Sequence, residues 1–241
     1  GDAGVVAKML CDDLEGEVKS GRPCMYFQPQ YNNENQCIGA EALLRWNHPV
    51  YGMVYPPLVI KLLEETELLT KAEMVILETV LKEMDRIKET YQDGVKVSVN
   101  VTGVTVQMDE YEDFLRKMAE RYPEHTSNIM IEITEQASLQ IDEAFVARLT
   151  RVKEMGYRLA IDDFGMGNTS VKYLRSNVFD MIKLDGSLIQ DIESNERSQG
   201  IVRNMVNMAQ EFRIDILAEF VETKEQQELL EELDCHLYQG Y

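Results

Sequence analysis

Short, apolar, β-rich segments alternate with longer amphipathic segments along most of the 241-residue chain. An apolar run of four to eight residues is typical of a buried strand, whereas apolar residues three and four apart predict a helix. Repeated alternation of the two predicts a mostly parallel sheet with helices outside it, in the α/β class. The predicted strands are 25–31, 38–44, 95–101, 129–134, 158–161, 181–184, 214–218 and 235–238, and the main predicted helices are 70–89, 110–121, 142–155, 196–212 and 224–233.

Eight strands in a chain of this length favour a closed (β/α)8 TIM barrel over an open sheet. Only the short segment NNENQ separates the first two strands, which is too short for a parallel crossover. We therefore predict a hairpin there, and a modified TIM barrel with one antiparallel strand. We expect residues 1–241 to form a single domain. Because the sequence begins without an initiator methionine, we also expect it to be a piece of a longer protein.

The charge balance excludes several classes of partner. The chain has 24 basic and 43 acidic residues, a formal net charge of −19. Polymeric nucleic acids and anionic membranes need a Lys/Arg footprint, so we expect neither as a partner. No apolar run is long enough to insert into a membrane. The four cysteines form no C-x-x-C pair and the three histidines are not at ligand spacing, which argues against zinc and predicts a reduced, cytoplasmic domain.

Acidic and amide side chains interrupt the apolar segments near the ends where barrel strands meet. An acid after a strand is often only the N-cap of the next helix, and Asp162 fits that alternative. Glu132 and Glu219 do not fit it, because they lie inside apolar runs where an unpaired charge is costly. The carboxyl ends of parallel barrel strands share one rim, so we expect these groups to converge. The set is Glu41, Asn100, Glu132, Asp162, Asp163 and Glu219.

Oxygen ligands without Cys or His indicate Mg²⁺ or Mn²⁺, and the adjacent aspartates favour two ions. Paired ions are a common arrangement for cleaving phosphodiesters. Two cations accompany the acids, and the first of them, Lys183, is predicted on the same strand face as Asp185. Lys183 either forms a salt bridge with them or holds a nucleophile or transition-state oxygen, and the two roles are compatible. Arg45, predicted on the strand face of Glu41, is suited to bind a phosphate. For Trp46 we predict a packing role.

These motifs together resemble one known family. Glu41-Ala42-Leu43, followed by Leu44-Arg45-Trp46, is similar to the signature of the EAL domain family, and SVNVT, IEITE, IDDFG, IKLD, AEFVE and QGY match further motifs of it. Members of that family are cyclic di-GMP phosphodiesterases with a modified (β/α)8 barrel. The resemblance implies hydrolysis of cyclic di-GMP to linear 5′-pGpG, a homodimer, and GGDEF-type or other regulatory domains in the full-length protein.

The resemblance also assigns roles residue by residue. It implies metal ligation by Glu41, Asn100, Glu132, Asp162 and Asp163, and catalysis by Lys183 and Glu219. It implies that Glu135 steadies the loop DDFGMGNTS, through which the family couples dimerisation to metal binding. The implied substrate contacts are Gln28, Leu43, Arg45, Asp185, Glu222 and Gln239.

Three residues depart from the family pattern. Met166 and Asn168 change the loop, and Phe220 replaces the glycine that usually follows the catalytic-strand glutamate. A bulky side chain there would shift Glu219 unless it packs outward. The leading hypothesis is a phosphodiesterase, and the alternative is a receptor that binds cyclic di-GMP without cleaving it. A third hypothesis, an interaction scaffold with neither property, predicts no nucleotide binding.

Overall fold

The computed structural model describes residues 2–20, 25–54, 56–65, 68–134, 141–164 and 172–240. Ten strands and ten α-helices are described in these ranges. The strands are β1 Met25–Asn32, β2 Cys37–Leu44, β3 Trp46–His48, β4 Gly52–Val54, β5 Lys96–Thr102, β6 Ile129–Thr134, β7 Arg158–Phe164, β8 Met181–Leu184, β9 Asp215–Val221 and β10 Leu237–Gly240. The helices are α1 Asp2–Ser20, α2 Pro56–Glu65, α3 Leu69–Thr90, α4 Gly103–Val106, α5 Asp109–Arg121, α6 Glu143–Glu154, α7 Lys172–Arg175, α8 Gly186–Gln190, α9 Glu196–Phe212 and α10 Lys224–Glu232.

Eight of the strands close into a barrel in the order β1-β10-β9-β8-β7-β6-β5-β2. β1 is antiparallel to both of its neighbours, while every other pairing in the barrel is parallel. The eight predicted strands and the predicted hairpin are therefore confirmed, and the fold is a modified TIM barrel.

Each barrel strand separates its residues between an outer and an inner face with a period of two. Outward residues such as Ile131, Ile133 and Ile182 are fully buried in the main apolar core. The inner face carries a small apolar layer made of Met130, Ala160, Met181 and Leu217. The residue two positions further along each of these four strands is polar. The barrel interior therefore changes from an apolar layer to a charged layer over two residues of each of these strands.

The N-terminal region contains elements that we did not predict. Helix α1, the β3–β4 hairpin and α2 form a second apolar cluster that includes Leu10, Leu14, Trp46 and Leu63. Trp46 is buried there, which confirms its packing role. The His48 ring fixes α1 to the hairpin, because its Nε2 lies 2.6 Å from Asp13 Oδ2.

No helix in the described part of the chain is both long and apolar enough to cross a membrane.

A buried acid connects α5 to α6. Glu112 lies on α5 and accepts hydrogen bonds from Arg151 on α6, at 2.8 Å to each carboxylate oxygen. Arg116 Nη2 donates to the same carboxylate at 3.0 Å, and Arg148 Nε lies 3.2 Å from it. The hydrogen bonds from Arg151, with help from Arg116, outweigh burial and lower the pKa of Glu112 from 4.5 to about 2.

We predict that Glu112→Gln lowers the free energy of unfolding at pH 7 by about 2 kcal/mol, because three arginines lose a nearly buried carboxylate. The folded-state pKa lies below the unfolded one, so the stabilisation is present above pH 4.5 and disappears as the pH falls towards 2. Urea unfolding at several pH values measures it. Glu110→Gln, at an exposed position on the same helix, is the matched control and should change little. A pH-independent loss in Glu112→Gln would contradict this account.

Candidate active site

The centre of the charged layer is the ammonium group of Lys183. This side chain comes from β8 and is completely buried. Its Nζ lies 2.8 Å from Glu41 Oε1, 2.7 Å from Glu132 Oε1 and 3.2 Å from Glu219 Oε1. Burial alone would lower the pKa of Lys183, but the surrounding carboxylates outweigh it and hold the pKa well above its usual value. Lys183 is therefore a permanent cation inside the barrel.

One ammonium group does not neutralise the acids around it. Burial raises the pKa of Glu132 to about 8, and the charges of Glu41 and Asp162 add to the effect of burial despite the opposing attraction of Lys183. Burial likewise raises the pKa of Glu219 to about 9, reinforced by the charge of Asp162 and a hydrogen bond with it. These directions indicate a site with an excess of negative charge, which a further cation would relieve.

Amide side chains position Glu41. Gln239 Nε2 donates to Glu41 Oε1 at 2.8 Å, and Asn100 Nδ2 donates to Oε2 at 3.1 Å. Burial raises the pKa of Glu41, but Lys183 and these two amides outweigh burial, so the pKa lies below its ordinary value. Gln239 Nε2 also lies 3.0 Å from Gln28 Oε1, and Gln30 Nε2 donates to Gln239 Oε1 at 2.9 Å. The β1 and β10 amides thus hold one ionised carboxylate in place.

The residues fit a divalent cation. One carboxylate oxygen from each of Glu41, Glu132 and Glu219 lies within 4.8 Å of the others. Two further buried oxygens, Asn100 Oδ1 and Glu132 Oε2, accept no hydrogen bond from any residue that the structure describes. Carboxylate and amide oxygens are the ligands that Mg²⁺ and Mn²⁺ prefer. A bound cation would coordinate these unpaired oxygens and reduce the negative charge of the interior.

An open cavity of about 420 Å³ adjoins the charged layer. Glu41, Asn100 and Asp162 line its inner side, and Arg45 and Leu43 line it from the end of β2. Helices α2 and α3 contribute apolar side chains to the opposite wall, among them Ile60 and Ile76. The predicted strand face shared by Arg45 and Glu41 does not form, because β2 ends at Leu44, but both residues border this cavity. The cavity can therefore present acids, a guanidinium and an apolar wall to one ligand.

Several predicted site residues lie away from the cluster or outside the description. We predicted that Asp185 shares a strand face with Lys183, but β8 ends at Leu184 and Asp185 is the N-cap of α8, accepting a hydrogen bond from Ser187 N. Glu222 follows β9 and is exposed. Their contacts with a substrate stay predictions. The backbone of Asp163 belongs to β7, but its side chain lies outside the described residues, as do Glu135, Met166 and Asn168.

Two buried polar residues near the site were missed from the sequence. Gln30 donates a hydrogen bond to Gln239 Oε1 and so helps to orient that amide. Glu73, on α3, lines the cavity and accepts a hydrogen bond from Thr102 N at 3.2 Å. The signal for Glu73 was present, because an acid next to Ala72 lies on the same apolar helix face as Leu77 and Val80.

We predict that Lys183→Met lowers the free energy of unfolding by about 3–5 kcal/mol at pH 7, because Glu41, Glu132 and Glu219 would lose the one cation that lies among them in the described structure. Chemical denaturation in a metal-chelating buffer measures the change. Lys82→Met is the control, since Lys82 is exposed and its partner Glu78 is 3.6 Å away. Equal effects of the two substitutions would show that the buried ammonium is not needed for stability.

Because the pKa of Glu132 is about 8, we predict that Glu132→Gln stabilises the protein without metal and destabilises it with metal. Without metal, the unfolded chain releases this proton near pH 4.5 and the folded chain holds it until about 8, so wild-type stability falls across that window. We therefore expect Glu132→Gln to be more stable than wild type by about 2 kcal/mol at pH 8 in chelator. With saturating Mg²⁺ or Mn²⁺ the order should reverse, because the variant lacks a carboxylate that is predicted to bind the ion. Thermal melts in both buffers test this, and an unchanged order would contradict it.

Comparison with known proteins agrees with this geometry. Residues 12–241 match the model of the EAL domain. The chain is 29% identical over 95% of its length to the probable cyclic di-GMP phosphodiesterase PdeG of Escherichia coli K12, of which it covers 45%. It is 30% identical over 96% of its length to the bifunctional diguanylate cyclase/cyclic di-GMP phosphodiesterase MucR of Pseudomonas aeruginosa, of which it covers 34%.

A solved structure described as the PaMucR phosphodiesterase in complex with c-di-GMP superposes with a TM-score of 0.88 at 28% identity, covering 96% of this chain and 94% of that one. The chain spans less than half the length of the two curated relatives named above. Since the family model matches almost the whole sequence and the fold agrees, the chain belongs to the EAL domain family.

Proposed function

We propose that this EAL domain hydrolyses one phosphodiester bond of cyclic di-GMP to give linear 5′-pGpG. One observation carries the proposal: a buried lysine ringed by three glutamates lies beside an open cavity that Arg45 lines. The relatives named as cyclic di-GMP phosphodiesterases, and the structure with c-di-GMP bound, support the choice of substrate.

In this proposal Glu41, Asn100, Glu132, Asp162 and Asp163 hold two Mg²⁺ or Mn²⁺ ions. Bound there, the ions would lower the pKa of a water molecule and neutralise charge on the attacked phosphate. The crowded carboxylates and the unpaired oxygens of Asn100 and Glu132 support ion binding among the described residues. The side chain of Asp163 is included on the family resemblance alone.

Lys183 and Glu219 are assigned to the reaction itself. Water forms a bond to phosphorus while the bond from phosphorus to the 3′ oxygen breaks, and the leaving oxygen takes up a proton. Glu219 is the proposed acceptor of the proton from the attacking water; its pKa is about 9 in the metal-free site, so it would take this role once bound cations lower that pKa. Lys183 fixes the carboxylates by pairing with three of them and offers positive charge to the developing oxyanion.

The substrate contacts follow from the cavity. Arg45 would bind a phosphate or a guanine edge, and Leu43 would contact a base, since both line the space beside Glu41. Gln28 and Gln239 would contact the nucleotide from the β1–β10 side of the rim. Asp185 and Glu222 complete the proposed set on the family resemblance, and Glu135 would support the loop after Asp163.

The same resemblance implies a homodimer and further domains in the full-length protein, and the cysteine pattern predicts a cytoplasmic location. The double name of MucR, a diguanylate cyclase as well as a phosphodiesterase, supports a GGDEF-type domain as one of them. We propose that the chain is the phosphodiesterase unit of such a protein.

The test is incubation of the purified protein with cyclic di-GMP and Mg²⁺ or Mn²⁺, followed by chromatography of the nucleotides. We expect pGpG, no product in chelator, and a loss of more than about 100-fold in kcat/KM for Glu41→Gln, which removes a proposed ligand. Glu34→Gln, in the exposed β1–β2 turn, is the matched control and should keep wild-type activity.

Two results would contradict the proposal. Calorimetric binding of cyclic di-GMP without turnover at saturating metal would favour the alternative, a cyclic di-GMP receptor. Absence of both binding and turnover would favour an interaction scaffold.

A further inference from the structure

Phe220 has an unusual backbone conformation for an aromatic residue. It follows Glu219 directly on β9 and has φ of +58°. The left-handed region is disfavoured for any residue with a Cβ atom, and most of all for bulky ones. Such outliers persist only when the surrounding structure fixes them, and they concentrate at functional sites.

A β-bulge produces this conformation. Ala218 pairs with Tyr238 on β10, whereas Val221 pairs with Gly240, so Glu219 and Phe220 together oppose the single residue Gln239. A bulge of this kind redirects side chains at the end of a strand. Glu219 stays in the buried cluster beside Lys183, and the phenyl ring of Phe220 contacts Gly186 of α8, so Phe220 does not displace Glu219.

The ring rests on Gly186, the first residue of α8. A Cβ atom added to Gly186 would lie only 2.0 Å from Phe220 Cδ2, 2.7 Å from Cε2 and 2.8 Å from Cγ. With the ring in this position, any residue other than glycine at 186 would collide with it. Despite this contact, Phe220 remains 51% exposed. The contact with Gly186 thus covers one edge of the ring and leaves a large aromatic surface open to solvent next to Glu219.

We propose that Phe220 is a stacking platform for a guanine base of bound cyclic di-GMP. This inference rests on the proposed function. Stacking of a base on an aromatic side chain strengthens binding by about 5- to 150-fold per base. An aromatic side chain has only two χ angles, so it loses little conformational freedom on binding. The ring directly follows Glu219, which is assigned to the reaction, and contacts Gly186, which follows the proposed substrate contact Asp185, so it borders the proposed nucleotide site.

The first test is spectroscopic and needs no catalysis. Phe220→Trp would place an indole on the platform, and stacking of guanine should quench its fluorescence during titration with cyclic di-GMP, in chelator as well as with metal. Phe212→Trp is the matched control, because Phe212 is 45% exposed at the end of α9. The native Trp46 is buried and supplies the background. We expect a saturable response in Phe220→Trp alone, and none with inorganic phosphate.

The second test separates stacking from positioning of Glu219. Phe220→Leu and Phe220→Gly should raise KM for cyclic di-GMP by about 5-fold or more and leave kcat within about twofold, since only binding is lost. Phe220→Gly also relieves the positive φ, so it guards against misfolding of the leucine variant. Phe212→Leu should leave both constants unchanged.

A fall in kcat with unchanged KM would overturn the platform, because the ring would then act through Glu219. The proposal would also be overturned if the Phe220→Trp protein bound cyclic di-GMP by calorimetry without any change in its tryptophan fluorescence. Both results differ from failure of the proposed function, which is an inactive wild-type protein. If the wild-type protein binds cyclic di-GMP without turnover, the proposed hydrolysis is contradicted. The Phe220→Trp titration would still test whether Phe220 stacks on guanine.

Discussion

The buried ammonium group of Lys183 is the interaction on which the site depends. It is surrounded by Glu41, Glu132 and Glu219, which come from three other strands. Removing charges from water costs several kcal/mol per ion, and only close pairing returns that energy. One lysine cannot balance these glutamates together with Asp162: burial raises the pKa of Glu132, and the charges of Glu41 and Asp162 add to that effect. Among the described residues, the barrel interior therefore carries more negative than positive charge. Binding of a divalent cation would reduce this imbalance.

The two-residue period of the strands explains how these groups reach one place. Met130, Ala160, Met181 and Leu217 form the apolar layer, and the residues two positions later are Glu132, Asp162, Lys183 and Glu219. A slip of one residue in any of these strands would exchange its charged group for an outward apolar one. The apolar layer below also closes that side of the cluster, which strengthens every electrostatic interaction above it.

Much of this was predictable from the sequence, for identifiable reasons. The eight barrel strands have strong apolar runs, and Glu132 and Glu219 stood out because no cap or solvated surface explains an acid in such a run. Other predictions failed or were not made, for local reasons. The strand face assigned to Asp185 was wrong because α8 begins there and needs an N-cap. The β3–β4 hairpin has strands of three residues, too short for a periodic signal. Helix α1 was missed although Leu10, Leu14 and Val18 recur every four residues.

The same limit applies to Phe220, whose role depends on backbone geometry rather than on residue type. From the sequence, a bulky residue after Glu219 either displaces the glutamate or packs outward, and the pattern alone does not decide between them. The bulge decides it, because an extra residue on β9 lets Glu219 keep its inward direction while Phe220 takes the left-handed conformation. Gly186 then accepts the ring where any other residue would collide with it. Glu219 on β9 and Gly186 on α8 thus both constrain Phe220, so a substitution at any of the three should change the position of the other two.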